Sequence, residues 1–225
     1  MGNQLTFSGS GELDNGMNVS LSFVLDQDDD TTLGEAAREE NSPFDSHSVT
    51  VSSDSLGTLV FSGEGGSSAQ SAIDTTAAGD AWDNGSGVTA VRASEAGDNS
   101  MLYTLPSIVD DLTVKASYSP GSAGGGSATA YHIGYAGVEG LSLDYAVGET
   151  ETIGSEQEHT TYKASYAYSS FTLSYSNTES AYDTDSDGSD EEVSSFNLAY
   201  TVSDDLSIAY GEDTIETEDK TVDEE

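Results

Sequence analysis

The chain has 225 residues, with 42 aspartates and glutamates against 5 lysines and arginines, a formal net charge of −37, and no cysteine. This balance excludes nucleic-acid binding through phosphate neutralisation, which needs clustered cations, and it excludes structural disulfides together with the small scaffolds built on them. No run approaches the roughly 18 consecutive apolar residues of a membrane helix, so a membrane-spanning form of this chain must cross as strands.

In chain order the sequence repeats one pattern, an alternating apolar and polar run, a tight turn and a second alternating run. Leu5 and Phe7 lead through Asp14-Asn15-Gly16 to Met17, Val19, Leu21, Phe23 and Leu25, with Asn18, Ser20 and Ser22 interleaved. Val49 and Val51 turn through Ser55-Leu56-Gly57 to Leu59 and Phe61. Met101-Leu102-Tyr103 turns through Val109-Asp110-Asp111 to Leu112, Val114, Ala116 and Tyr118, with Thr113, Lys115 and Ser117 opposite. Tyr131, Ile133 and Tyr135 turn through Gly137-Val138-Glu139-Gly140 to Leu141, Leu143, Tyr145 and Val147, with Ser142, Asp144 and Ala146 opposite. Tyr162, Ala164, Tyr166 and Tyr168 turn at Ser169-Ser170 to Phe171, Leu173 and Tyr175. Phe196, Leu198 and Tyr200 turn through Ser203-Asp204-Asp205 to Leu206, Ile208 and Tyr210.

A period of two with no helix between the runs predicts an all-β, antiparallel up-and-down sheet of about twelve strands, in one domain over residues 1–225. Turns built on Asn, Asp and Gly support it, because these residues enter positive φ cheaply. Hydrophobic residues make up only 35% of the chain, and they gather on one face of each run. That arrangement predicts a transmembrane β-barrel with a wet interior and an apolar exterior. Short turns alternate with long connections, which predicts one smooth rim and one carrying loops. The acidic stretches Asp26 to Asp30, Glu35 to Glu40, Glu149 to Glu158, Asp183 to Glu192 and Glu212 to Glu225 read as solvated loops. Many of the 12 tyrosines fall where an aromatic belt would lie.

Wording as well as period resembles the bacterial general porins, particularly those of α-proteobacteria. The resembling segments are Leu5-Thr6-Phe7-Ser8-Gly9-Ser10 with Leu13-Asp14-Asn15-Gly16-Met17, Ser48-Val49-Thr50-Val51 with Leu56 to Gly63, and Asp98 to Ser107 followed by Leu112 to Ser119. The resemblance implies a barrel of about sixteen strands, usually a homotrimer, through which small hydrophilic solutes diffuse. Laid on that pattern the strands here match the second to the thirteenth. The expectation is a chain incomplete at both ends, because it closes on Thr221-Val222-Asp223-Glu224-Glu225 where the family closes on a terminal aromatic.

The resemblance also implies that a long external loop folds into the barrel and narrows it. The matching insertion here is 65–99, with the acids Asp74, Asp80, Asp83, Glu95 and Asp98 and the base Arg92 as expected constriction residues. Alternation puts Lys115 and Lys163 on the polar face, as the expected pore-wall cations. A carboxylate cluster opposite them would set a transverse field, and with only two lysines on the wall the expected preference is for cations.

Asp183, Asp185 and Asp187, followed by Gly188, match the opening of a calcium loop, although the twelfth position is Ser194 in place of a bidentate glutamate. Calcium held there belongs to the alternative reading, an acidic adhesin-like binding module whose apolar face packs on a second sheet. Otherwise no cofactor is expected. His47, His132 and His159 lack ligand spacing, with His132 read as simply hydrated, and no nucleophile elbow or phosphate loop occurs, so no enzyme is expected. The expected setting is the bacterial outer membrane, with lipid, cations and small hydrophilic solutes as partners.

Overall fold

A computed structural model describes residues 5–25, 44–71, 73, 99–121, 126–152, 154–183, 190–203 and 206–218. The strands are β1 (Leu5–Glu12), β2 (Asn18–Leu25), β3 (Phe44–Ser53), β4 (Gly57–Glu64), β5 (Ser100–Thr104), β6 (Leu112–Ser119), β7 (Ala128–Val138), β8 (Leu141–Thr152), β9 (Ser155–Tyr168), β10 (Phe171–Tyr182), β11 (Asp190–Ser203) and β12 (Leu206–Glu218). They form a single 12-stranded sheet in the order of the chain, with each neighbouring pair antiparallel, as an up-and-down meander requires. Among the described residues β1 and β12 are the sheet edges and do not pair with each other.

Two glycines show why the tight turns take the residues they do. Gly57 has φ +81 and Gly140 φ +78, and a Cβ at either would run into a backbone carbonyl oxygen of a neighbouring segment, that of Thr104 or of Ala167. Only glycine meets both demands, positive φ and close backbone approach. The Gly140 carbonyl also accepts the Ala167 amide at 2.7 Å, tying adjacent hairpins together.

Burial is inverted relative to a soluble sheet protein. The largest fully buried side chains are Gln70, Thr161, Ser176 and Ser180, whereas Leu21 is 44% exposed, Leu143 41% and Leu173 46%. Large apolar side chains from nearly every strand share this exposed face, far more than a water-facing monomer tolerates. No second sheet covers it among the described residues. The adhesin-like alternative, which needs these leucines packed inside, therefore fails.

Cross-strand rows bound the apolar band. Near the short turns, Tyr168, Phe171, Tyr200 and Ile208 are successive Cα partners, and the Phe171 and Tyr200 rings lie 4.7 Å apart. Toward the other end Tyr145 pairs with Tyr162, whose ring is 6.1 Å from that of Tyr175. One row further on, Tyr131, Val147, Thr160, Glu179, Glu192 and Glu216 run from apolar to acidic.

The acidic stretches correct the sequence expectation, since several of them are strand. β8 and β9 extend through Glu149, Glu151, Glu156 and Glu158, with Thr152 opposite Ser155. β11 begins at Asp190 and β12 runs to Glu218. Glu149-Thr150-Glu151-Thr152 keeps the period of two without apolar residues, and threonine suits a pleated surface. Beyond the apolar band the outward face no longer meets lipid, so the hairpins can rise without a greasy face. Glu149 stands opposite Glu158 and Glu151 opposite Glu156, an unfavourable like-charge arrangement. Desolvation pushes the Glu149 carboxyl above its usual range, and the charges of Glu156, Glu151 and Glu158 push it the same way.

Two outcomes follow from this layout. Leu173→Lys is expected to destabilise the protein in a bilayer by roughly 2–4 kcal/mol while the adjacent Thr172→Lys, on the polar face, stays near neutral; urea titration of vesicle-inserted protein measures both. A raised carboxyl in the folded state means that the Glu149 contribution is present below the carboxylate range and lost as pH rises through it. Glu149→Gln should therefore slow amide exchange in the 148–158 hairpin at pH 7, and that gain should vanish in acid.

Candidate functional site

The polar face of β6 to β10 carries a floor of small side chains, and the chain leaving β4 crosses it. Ala130 on β7 and Ala146 on β8 are 0% exposed, as is Ala69 of the crossing segment. Two hydrogen bonds fix the segment to the sheet. The Ala69 amide donates to Ser117 Oγ on β6 at 2.8 Å, and Gln70 Nε2 donates to Thr161 Oγ1 on β9 at 2.9 Å. Thr161 Oγ1 lies in turn 3.0 Å from Thr178 Oγ1 on β10. A turn shapes the segment locally, with the Ser71 amide donating to Ser68 Oγ at 3.0 Å and the Ile73 amide to the Gln70 carbonyl at 3.0 Å. Larger floor residues than alanine would hold the segment off the wall and leave Gln70 unable to reach Thr161.

Lys115 and Lys163 both sit on this face. Lys115 is the Cα partner of His132, and Lys163 that of Asp144 on one side and Ser176 on the other. Asp74, Asp80, Asp83, Arg92, Glu95 and Asp98 lie outside the described residues, as do Asp185 and Asp187. Asp183 is described and is tied to the start of β9. Its amide donates to the Glu156 carbonyl at 3.1 Å, and its carboxylate accepts from the Glu156 amide at 3.5 Å. Among the described residues the carboxylates close enough to share a cation are Glu149, Glu151 and Glu156, whose ligand atoms lie within 4.8 Å of one another.

Two histidine sites escaped sequence reasoning. His132 is not hydrated as expected: its side chain is 5% exposed, and Nε2 lies 3.0 Å from Oδ1 of the 26%-exposed Asp144. The contact is diagonal across β7 and β8, and Gly134 makes it feasible, since a Cβ there would stand 2.8 Å from Asp144 Oδ1 and 3.1 Å from His132 Cε1. Ser142 Oγ donates to the second carboxylate oxygen at 3.3 Å. His132 Nδ1 has no hydrogen-bond partner among the described residues. Further along the same face His159 Nδ1 lies 2.8 Å from Ser180 Oγ and Nε2 3.4 Å from Thr150 Oγ1, all three residues buried. The signal that could have found the first pair was present, because alternation already assigns His132 and Asp144 to the polar face. Their register was what had to be known.

Comparison with known proteins agrees with this architecture. The Gram-negative porin family model matches residues 1–225. No curated protein matches the sequence. Among solved structures the chain is similar to an anion-selective porin from Comamonas acidovorans, with 15% identity over 95% of this chain and 68% of that one and a TM-score of 0.60. It is similar also to a loop L8 deletion mutant of OmpT, an outer membrane protein of Vibrio cholerae, with 12% identity over 96% and 74% of the two chains and a TM-score of 0.60. A porin refined at 1.8 Å gives 12% identity over 95% and 76% and a TM-score of 0.61. At these identities the structural likeness is one of fold. With the family match spanning every residue, the chain belongs to the Gram-negative porin family, β-barrel proteins of the bacterial outer membrane.

Proposed function

We propose that this chain lines a passive, water-filled diffusion channel for ions and small hydrophilic solutes, with a preference for cations. The observation that carries the reading is the inversion of burial. An apolar face suited to lipid backs a polar face of serine, threonine, histidine and lysine, and a connecting segment lies across that polar face instead of out in solvent. Passage through such a channel follows the gradient of the solute and needs no cofactor.

The segment 65–99 serves in this reading as the constriction. In this reading Asp74, Asp80, Asp83, Arg92, Glu95 and Asp98 line the lumen, and the anchoring of the segment's start at Ser117 and Thr161 supports it. Lys115 and Lys163 would form the opposing wall and establish a transverse field. Net charge sets the sign of the preference. With 42 acids to 5 bases, local cation concentration is raised and anions are repelled. The selectivity named for the Comamonas acidovorans porin is for anions; the charge of this chain argues for the opposite choice. Assembly as a homotrimer, each protomer keeping its own lumen, belongs to the same proposal, with outer-membrane lipid around the assembly.

In planar bilayers the chain should give steady, ohmic current with reversal potentials favouring potassium over chloride. Replacing Asp74, Asp80 and Asp83 by asparagine should reduce that preference, by about fourfold for each charge that lies near 10 Å from the ion path, since cation and anion are shifted in opposite senses. An unchanged preference removes these residues from the constriction. Gln70→Ala deletes one anchor, a bond of roughly 1 kcal/mol, and should raise single-channel conductance and open-channel noise. Thr161→Val should do the same, and the double variant should add little, because both remove one contact.

A further inference from the structure

Both described lysines lie near His132 on the sheet. Lys115 on β6, His132 on β7, Asp144 on β8 and Lys163 on β9 share the polar face, with Lys115 the Cα partner of His132 and Asp144 that of Lys163. The row lies beside the anchors of the inward segment. Ser117 and Thr161, which hold Ala69 and Gln70, are each two residues along the strand from a lysine, one same-face step of roughly 7 Å.

We propose that His132 and Asp144 form a proton-dependent selectivity element in the channel wall, a reading that rests on the channel function above. With His132 neutral, the two lysines and the one carboxylate of this group sum to a single positive charge. A proton on His132 doubles it. On the polar face β6 contributes Lys115, β8 Asp144, and β9 Lys163 and, further along, His159. Alternation puts Glu149, Glu151, Glu156 and Glu158 on the opposite face, and the described residues 65–71 and 73 of the inward segment carry no ionisable group. The pair is a built feature. His132 is nearly fully buried, Nε2 is held 3.0 Å from Asp144 Oδ1, and Gly134 leaves the space the contact crosses. A charge buried in the wall is screened less by salt than one on the rim, so it acts on whatever ion passes. Histidine is the side chain whose ordinary titration falls between about pH 5 and 8, and the element would make the wall less favourable to cations as the medium acidifies.

Reversal potentials of the full chain under a potassium chloride gradient test this. Between pH 8 and pH 5 the potassium-to-chloride permeability ratio should fall roughly fourfold, since one unit charge about 10 Å from the ion path at water-like dielectric shifts each ion about twofold in opposite senses. His132→Gln should abolish this fall, and His159→Gln should leave it in place. Asp144→Asn should lower the ratio already at pH 8, since the row then carries the larger charge throughout. If His132→Gln retains the full fall, or His159→Gln loses it, the element is overturned while the channel stands. A chain that passes no current at any pH overturns the channel reading itself, and the element with it. Should His132→Gln fail to assemble, nitrogen NMR of the histidines of the unaltered chain in detergent decides: the His132 ring must change protonation between pH 8 and pH 5, and a ring that stays neutral over that span overturns the proposal.

Discussion

The constraint on which the rest depends is that a backbone crossing hydrocarbon must satisfy its own N–H and C=O groups, because no water is there to do it. Sequential antiparallel pairing does this strand by strand from β1 to β12. Once the ladder is complete, side chains are released from the usual duty of hiding apolar surface. Leucine, valine and tyrosine can be left on the outside, where lipid is as apolar as any core, and the opposite face is free to be polar. Polar side chains are then buried only where another part of the chain lies on them, and most of them find partners there. Gln70, Thr161 and Thr178 form one chain of hydrogen bonds and His159, Ser180 and Thr150 another.

The inward segment follows from the same release. A water-facing floor of large polar residues would keep a crossing segment at a distance, whereas Ala130, Ala146 and Ala128 let its backbone approach closely enough for Ala69 to meet Ser117. Small residues on the floor and a fully buried glutamine on the segment are two sides of one contact. Alternation therefore encodes more than the barrel wall here, because it also encodes where the wall is thin.

How much was legible in the sequence depends on which periodicity carried it. Strand order, the short turns and the orientation of Leu21, Leu143 and Leu173 were readable, since each rests on local alternation and on turn residues such as Gly57 and Gly140. The raised hairpins were not, because a search for apolar residues every second position stops where Glu149 and Thr150 begin, although the backbone continues unchanged through Thr152. The Gln70 anchor lies in a segment with no period at all. The His132 and Asp144 contact is harder still, requiring the register of β7 on β8 and the missing side chain of Gly134 at once. Local pattern fixes faces, and only pairing fixes neighbours.

Charge is distributed by the same logic, and a net value of −37 conceals a division. Carboxylates occupy the hairpin ends beyond the apolar band, where Glu149 faces Glu158, Glu151 faces Glu156, and Glu179 faces Glu192 and through it Glu216. Each such pair is unfavourable in isolation, but at the rim it is bathed in water and in counterions whose screening length is about 8–10 Å at physiological salt. The described lysines stand inside, across the polar face. The reverse distribution would set mutually repelling carboxylates into a buried wall, where salt screens them less. Placing most of the described acids at the rim keeps like charge away from the polar face on which Ala69 and Gln70 are held.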